Sequence, residues 1–200
     1  MGVKREFVHL HLHSQYSLLD GACHLERIIE KTKALDMKAV AITDHGNMFG
    51  VIDFYILANS SQLKPIIGVE FYEAPTSRFD KSQSLKSKED TNFHLVALAK
   101  DNTGYKNLLK LVSLSYLEGF YYKPRINKRL IAQYSEGIIC LSACLKGEIP
   151  HLLLSGNQQQ AKEVVNFYKS IFPDKFYLEI QNHGIEEEKI VAPLIIELAR

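Results

Sequence analysis

Three histidines occupy alternate positions near the beginning of the sequence, within the stretch HLHLHSQYSLLDG at 9–21. Alternation is the period of a β-strand, so His9, His11 and His13 would point to one face of an extended segment. A globular core places aliphatic side chains on such a face, so aligned imidazoles indicate either a solvated surface or a metal ion. Asp20 follows and is a candidate carboxylate ligand, although an aspartate before a glycine is also typical of a turn.

Four more metal-type side chains lie within the later predicted strands or next to their ends. His45 closes an apolar run in AITDHG, and Glu70 lies inside KPIIGVEFY, where an unpaired carboxylate would be costly. His94 opens the run FHLVALA, and Cys144 follows GIICLSA. His45 alone would also suit the cap of a helix, and Cys144 alone is more often a small buried residue than a ligand.

The candidates mix imidazole, carboxylate and thiolate donors, which suit Zn²⁺ or a similar first-row dication better than Mg²⁺ or Ca²⁺. We expect zinc, with manganese or iron as alternatives. Because there are more donors than one tetrahedral ion needs, and carboxylates bridge ions, the set favours a cluster of two or three metals. Such clusters hydrolyse phosphate esters. The predicted ligands are His11, His13, Asp20, His45, Glu70, His94 and Cys144.

Short apolar runs alternate with amphipathic segments along most of the chain. The predicted strands span 6–12, 38–45, 64–74, 93–99, 137–143 and 175–182, and the predicted helices span 24–35, 50–60, 102–119, 157–172 and 185–200. A polar stretch at 75–92 is predicted to be a long exposed loop. This alternation is typical of parallel βαβ units in an α/β fold, where the carboxyl ends of the strands share one edge. Most candidate ligands would meet at this edge. His94 is the exception, because it lies at the start of its predicted strand.

The composition is that of a globular chain with one domain, or one domain and part of another. Hydrophobic residues make up 46% and charged residues 24%, and the net charge is +1. This balance excludes the basic excess expected of a non-specific nucleic-acid binder. No signal peptide or membrane-length apolar run is present, so we expect a cytoplasmic protein without a membrane partner. Cys23 and Cys140 are interpreted as reduced structural thiols.

Several longer motifs resemble a known family. The stretches HLHSQYSLLDG, AITDHGNMFG, KPIIGVEFY, HLVALAKDNTGYKNL, GFYYKPRI and LSACLKGEI are similar to the PHP (polymerase and histidinol phosphatase) domain family. AKDNTGYKNL and GFYYKPRI resemble the branch found at the N-terminus of bacterial DNA polymerase III alpha subunits. The similarity runs over essentially the whole chain.

This resemblance implies a distorted (β/α)7 barrel that holds up to three metals with nine ligands. The seven candidates above match ligand positions of the family, which strengthens the cases for His94 and Cys144. The last two ligands, an Asp and a His on a seventh strand, would lie beyond Arg200. The chain, residues 1–200, is thus expected to be a PHP domain truncated before that strand, with polymerase domains downstream.

The sequence is compatible with three functions. The first is a metal-dependent 3′–5′ exonuclease that acts on DNA within a full-length replicative polymerase. The second is a structural module that contacts other polymerase holoenzyme subunits, including a separate proofreading exonuclease. The third is a stand-alone phosphomonoesterase of the histidinol phosphate type.

Some residues are left without a functional role. His183, at a predicted strand end, matches no ligand position of the family. A basic group formed by Lys123, Arg125, Lys128 and Arg129 is interpreted as a solvated stretch rather than as a DNA contact.

Overall fold

A mixed six-stranded sheet with helices packed on it forms the fold in this computed structural model, which describes residues 7–81 and 92–200. The strands are β1 (Ala39–Ile42), β2 (Lys64–Glu73), β3 (Phe93–Ala99), β4 (Arg125–Ile126), β5 (Ile138–Leu141) and β6 (Phe176–Tyr177). The helices are α1 (Leu25–Ala34), α2 (Val51–Ser60), α3 (Asn102–Leu117), α4 (Lys128–Gln133), α5 (Glu148–Leu154), α6 (Gln158–Ile171) and α7 (Glu186–Leu198).

The sheet is not uniformly parallel, which corrects the expectation from the alternating pattern. Its order is β1-β2-β3-β5-β6, with β4 paired to the end of β2. The pairs β1–β2, β2–β4 and β5–β6 are parallel, whereas β3 runs antiparallel to both β2 and β5. A parallel pair requires a long crossover, usually a helix. The polar sequence between β2 and β3 lacks the amphipathic pattern from which a crossover helix would form.

The described strands do not close into a barrel, because β1 and β6 stand at the two ends of the sheet order. A groove of about 920 Å³ lies between the N-terminal segment, residues 7–13, and the chain that follows β6. The finding is therefore an α/β fold with an open mixed sheet. Most of the loop predicted over 75–92 lies outside the described residues, and 75–81 contains no helix or strand.

The strand predicted over 6–12 was wrong, since the described residues 7–12 form no regular strand, and the strand predicted over 175–182 is reduced to the two residues of β6. The N-terminal segment lies along β1, where the Ala41 N–H donates to the His9 carbonyl at 2.9 Å. The Leu12 N–H, however, donates to the Thr43 hydroxyl at 2.9 Å rather than to a carbonyl. Beyond β6, the Glu179 N–H likewise donates to the Ser142 hydroxyl at 2.9 Å. Side-chain hydroxyls thus replace ladder carbonyls where these segments leave the sheet.

The five predicted helices are confirmed as α1, α2, α3, α6 and α7, while two short helices and β4 were not predicted. α4 begins after Asn127, whose side chain accepts from the Leu130 N–H. α5 begins after Gly147 and contains seven residues. Both are too short for the apolar periodicity of a helix to appear in the sequence.

The helices cover one face of the sheet with two apolar clusters. α1 and α2 pack on β1 through residues such as Ile29 and Phe54, and all four residues of β1 are buried. A larger cluster joins α3–α7 to the centre of the sheet, with Phe71, Leu108 and Tyr168 among its members. No helix in the described parts of the chain is long and apolar enough to cross a membrane.

Candidate metal centre

All seven predicted ligands line one cavity of about 400 Å³. They come from six separate segments of the chain, and their convergence is what the metal hypothesis required. Ligation itself remains a prediction. The cavity is lined by His11, His13, Asp20, His45, Glu70, His94 and Cys144, together with Leu12, Leu145, Lys146, Gln181, His183, Ile185 and Glu188.

Glu70 is the centre of this group, and four imidazoles surround its buried carboxylate. Its Oε2 lies 2.7 Å from His13 Nε2 and 3.0 Å from His45 Nδ1. Its Oε1 lies 2.9 Å from His94 Nδ1 and 3.2 Å from His11 Nε2. The side chain of Glu70 is only 1% exposed. A carboxylate with both oxygens shared in this way is placed to bridge two ions.

Asp20 lies at the solvent side of the group, with its side chain 48% exposed. Its Oδ2 is 3.0 Å from His13 Nδ1 and 3.1 Å from His45 Nε2. Cys144 Sγ lies farther out, 3.6 Å from His94 Nδ1 and 3.7 Å from Glu70 Oε1.

Three overlapping triads place one ligand atom from each member within 4.8 Å of the others. The triads are His11–His13–Glu70, His13–Asp20–His45 and His45–Glu70–His94. Because they share His13, His45 and Glu70, several ions bound here would share ligands. The donors, mainly nitrogen with some carboxylate oxygen, fit zinc or another first-row dication.

The antiparallel direction of β3 explains how His94 joins the others. His94 lies opposite Tyr72 in the ladder, near the carboxyl end of β2. The beginning of β3 therefore meets the end of β2, just beyond Glu70. His45 reaches the same place after β1, where it forms an isolated bridge with Glu70.

Asp44 connects the turn that follows His13 to the end of β1. Its buried carboxylate accepts hydrogen bonds of 2.7 Å from the Ser14 N–H, the Ser14 hydroxyl and the Ser17 hydroxyl. The His45 N–H in turn donates to the Ser17 hydroxyl at 3.1 Å. This network fixes the two segments that carry His13, Asp20 and His45.

Glu179 is a member of the site that sequence reasoning missed. Its Oε1 lies 2.7 Å from His11 Nδ1 and accepts from Gln181 Nε2 at 2.7 Å. The sequence signal was a carboxylate inside the apolar run FYLEI, comparable with Glu70 inside GVEFY. A carboxylate on the second ring nitrogen is the usual partner of a metal-binding histidine.

Opposing effects set the charges in the cavity. Burial disfavours the charged form of Glu70, but hydrogen bonds from His11, His13 and His94 outweigh it and hold its pKa well below the ordinary value. Burial likewise opposes the charge on His11, but hydrogen bonds to Glu179 and Glu70 raise its pKa to about 10. Burial and the nearby Glu70 charge raise the pKa of the Cys144 thiol to about 12.

The residues present fit a bound dication. Three buried atoms of the group, His45 Nδ1, His94 Nε2 and Glu179 Oε2, have no hydrogen-bond partner among the described residues, although His45 Nδ1 lies 3.0 Å from Glu70 Oε2. Unpaired buried polar atoms are uncommon in folded proteins and point to a ligand or ion. A cation that displaces protons from the imidazoles and the thiol would also compensate the carboxylates.

Arg125 is not the solvated residue that the sequence suggested. Its side chain is buried, and its guanidinium donates to the carbonyls of Gly119, Arg78 and Asp80 at 2.8–3.0 Å. Lys128 pairs with Glu148 at 2.6 Å. These two members of the basic group therefore stabilise the fold.

Comparison with known proteins is consistent with this geometry. Residues 9–183 match the model of the PHP domain family. A protein from Treponema pallidum described as DNA polymerase III subunit alpha is 50% identical over 197 residues, which cover 98% of this chain and 17% of that protein. The protein of the same description from Thermus aquaticus is 47% identical over 202 residues, which cover 100% of this chain and 16% of that protein. The chain thus spans about a sixth of the length of these relatives.

The fold also has a counterpart among solved structures. A proposed metal-dependent phosphoesterase from Bifidobacterium adolescentis superimposes with a TM-score of 0.52 and 11% identity, covering 96% of this chain and 84% of that one. At this identity the likeness concerns the fold alone. Since the family model spans most of the sequence and both carboxylates and imidazoles of its motifs meet in one cavity, this chain belongs to the PHP domain family.

Proposed function

We propose that the chain is the PHP segment of a bacterial DNA polymerase III alpha subunit and that its cavity is a metal-dependent phosphoesterase centre. The observation that carries the proposal is the convergence of four imidazoles on the Glu70 carboxylate, with Asp20 and Cys144 beside them. The identity of about half over the whole chain to proteins of that name supports the assignment.

The three triads would hold up to three divalent ions, with zinc as the first expectation and manganese or iron as alternatives. When bound, such ions lower the pKa of coordinated water and neutralise phosphate charge. Glu70 would bridge ions, Glu179 would orient His11, and Asp20 would complete the site on its open side. Two further ligands, expected from the family resemblance, would follow Arg200.

The substrate would be the 3′ end of DNA, so that the full-length protein would remove terminal nucleotides as a 3′–5′ exonuclease. In that setting residues 1–200 would form most of one PHP domain, whose C-terminal end would lie beyond Arg200, and polymerase domains would follow it. DNA and the other subunits of the polymerase holoenzyme are the proposed partners. An open cavity with ligands exposed at its edge is suited to a polymer end, since Asp20 is about half exposed.

The test is a double substitution, His11→Ala with His13→Ala, in the full-length protein. We expect bound metal, measured by mass spectrometry, and release of 3′-labelled nucleotide from single-stranded DNA both to fall to background. Primer extension should persist, since polymerase carboxylates would lie elsewhere. His24→Ala is the matched control, because His24 is exposed and its side chain caps no helix. Retention of both metal and nuclease activity in the double variant would refute the proposal.

A further inference from the structure

The cavity contains two basic side chains in addition to the predicted ligands, Lys146 and His183. Lys146 is exposed and follows Cys144 by two positions. Its main chain is fixed, because its carbonyl accepts the His94 N–H at 3.0 Å. Within 7–81 and 92–200, no carboxylate pairs with its ammonium group. A lysine held at this place, yet without an acidic partner, is available to an anionic ligand.

His183 is oriented by Glu188, in the first turn of α7. The Glu188 carboxylate accepts from the His183 N–H at 2.6 Å and lies 2.7 Å from His183 Nδ1. The side chain of Glu188 is 5% exposed and that of His183 is 65% exposed. A buried carboxylate therefore holds an exposed imidazole by one ring nitrogen and leaves Nε2 to other partners.

The contacts of Glu188 with His183 favour the ionised form of the Glu188 carboxyl. Burial would raise the pKa of this carboxyl, but the hydrogen bonds from the ring and backbone of His183 outweigh burial and lower it. With Nδ1 held by this carboxylate, Nε2 is the ring nitrogen left for a ligand.

We infer that Lys146 and His183 form the phosphate-binding side of the cavity, which holds the non-bridging oxygens of a nucleoside 5′-phosphate group. The inference rests on the proposed function, since it specifies the substrate of the same site. A separate phosphate-binding side is needed because the carboxylates of Asp20, Glu70 and Glu179 offset much of the positive charge that bound ions would bring. Lys146 would supply a positive charge and His183 a ring nitrogen, both on exposed side chains that line the cavity.

Other basic residues near the cavity are engaged in structure. The Arg125 guanidinium is buried against backbone carbonyls, and Lys128 is paired with Glu148. Lys123 lies over the Tyr72 ring, with its Nζ 4.3 Å from the ring centroid. Neither these residues nor Arg129 line the cavity. Among the described residues, Lys146 and His183 are therefore the basic side chains outside the predicted ligand set from which a phosphate contact would come.

The experiment measures binding of thymidine 5′-monophosphate to the metal-loaded full-length protein by calorimetry, with uncharged thymidine for comparison. We expect Lys146→Met and His183→Asn each to weaken binding of the monophosphate about tenfold, equivalent to about 1.4 kcal/mol. Thymidine binding and metal content should not change. Lys146→Arg should restore most of the affinity because it restores the charge. For hydrolysis of single-stranded DNA, KM should rise more than kcat falls.

Lys106→Met and His24→Asn are the matched controls, since both residues are exposed and lie outside the cavity. The inference is overturned if the monophosphate binds equally well to the wild type and to both cavity variants, or does not bind to the wild type. If the variants also keep their metal content and nuclease activity, either outcome contradicts this inference but not the proposed function. Loss of metal in the cavity variants would instead assign the two residues to the structure of the centre.

Discussion

The residues of the centre are of two kinds. Some would coordinate an ion, and others orient a coordinating side chain. Glu179 belongs to the second kind, because its oxygen lies on His11 Nδ1 while His11 Nε2 faces Glu70. A sequence pattern predicts the first kind more readily, since ligand types recur at strand ends. The orienting carboxylate depends on a contact between residues 168 positions apart, which no local pattern shows.

At this scale we expect Glu179→Gln to weaken metal binding about tenfold, in line with other carboxylates that orient a histidine ligand. Competition with a chromophoric chelator measures the change. Glu186→Gln is a suitable control, because Glu186 is exposed in the first turn of α7. Unchanged affinity in Glu179→Gln would show that His11 needs no such partner.

Glu73 is a second residue whose environment has a measurable effect. Its carboxyl is fully buried; burial and the nearby Glu148 raise its pKa to about 7, although the Tyr168 hydrogen bond and Lys128 oppose the rise. The unfolded chain loses this proton near pH 4.5 and the folded chain near pH 7. The contribution of Glu73 to the free energy of unfolding should therefore fall as pH rises between these values and stay constant above them.

Urea unfolding of wild type and Glu73→Gln across pH 4.5–7 tests this, and the difference between the two should decline with pH. The other titrating groups are present in both proteins, so their contributions cancel in the difference between wild type and Glu73→Gln. A difference that is independent of pH would show that Glu73 has the same pKa in the folded and the unfolded protein.

At the scale of elements, the direction of β3 decides whether the centre forms. The alternation of strands and helices predicted most strands and five helices, because apolar periodicity is a local property. It did not predict that β3 is antiparallel, since direction depends on how the chain connects β2 to β3. The position of His94 at the start of its strand was the sequence signal of this direction. The start of β3 lies beside the end of β2 only if the two strands are antiparallel.

Asp44 links two such elements, and its removal should be costly. Asp44→Ala would leave the Ser14 N–H and the hydroxyls of Ser14 and Ser17 without their acceptor, and we expect a loss of about 3 kcal/mol. Chemical denaturation measures it, with Asp53→Ala on the exposed side of α2 as the control. Equal stability of the two variants would mean that water replaces the carboxylate.

At the scale of the whole molecule, the centre takes its candidate ligands from segments that contribute to different apolar clusters. The N-terminal segment packs with α1 and α2, and β5 contributes to the larger cluster around α3–α7, while a third cluster contains Ala41 of β1 and Leu141 of β5. A cation held between them would bind the folded state and not the unfolded chain. Stability should then depend on the concentration of free metal.

We expect added zinc to raise the melting temperature of the protein and a chelator to lower it. Metal at about 100 times its dissociation constant would contribute about 2.7 kcal/mol. The His11→Ala, His13→Ala double variant should show no such dependence in differential scanning fluorimetry. A zinc-induced rise of equal size in that variant would place the stabilising ion elsewhere.

The ligands are unevenly distributed along the chain: His11, His13, Asp20, His45 and Glu70 lie within 11–70, while His94 and Cys144 come later. A protein emerges from the ribosome from its N-terminus and begins to fold there. The first two triads, which need only the earlier group, would thus be able to capture an ion while the remainder is still being translated. Metal supply during translation would then influence how many molecules mature with a filled centre.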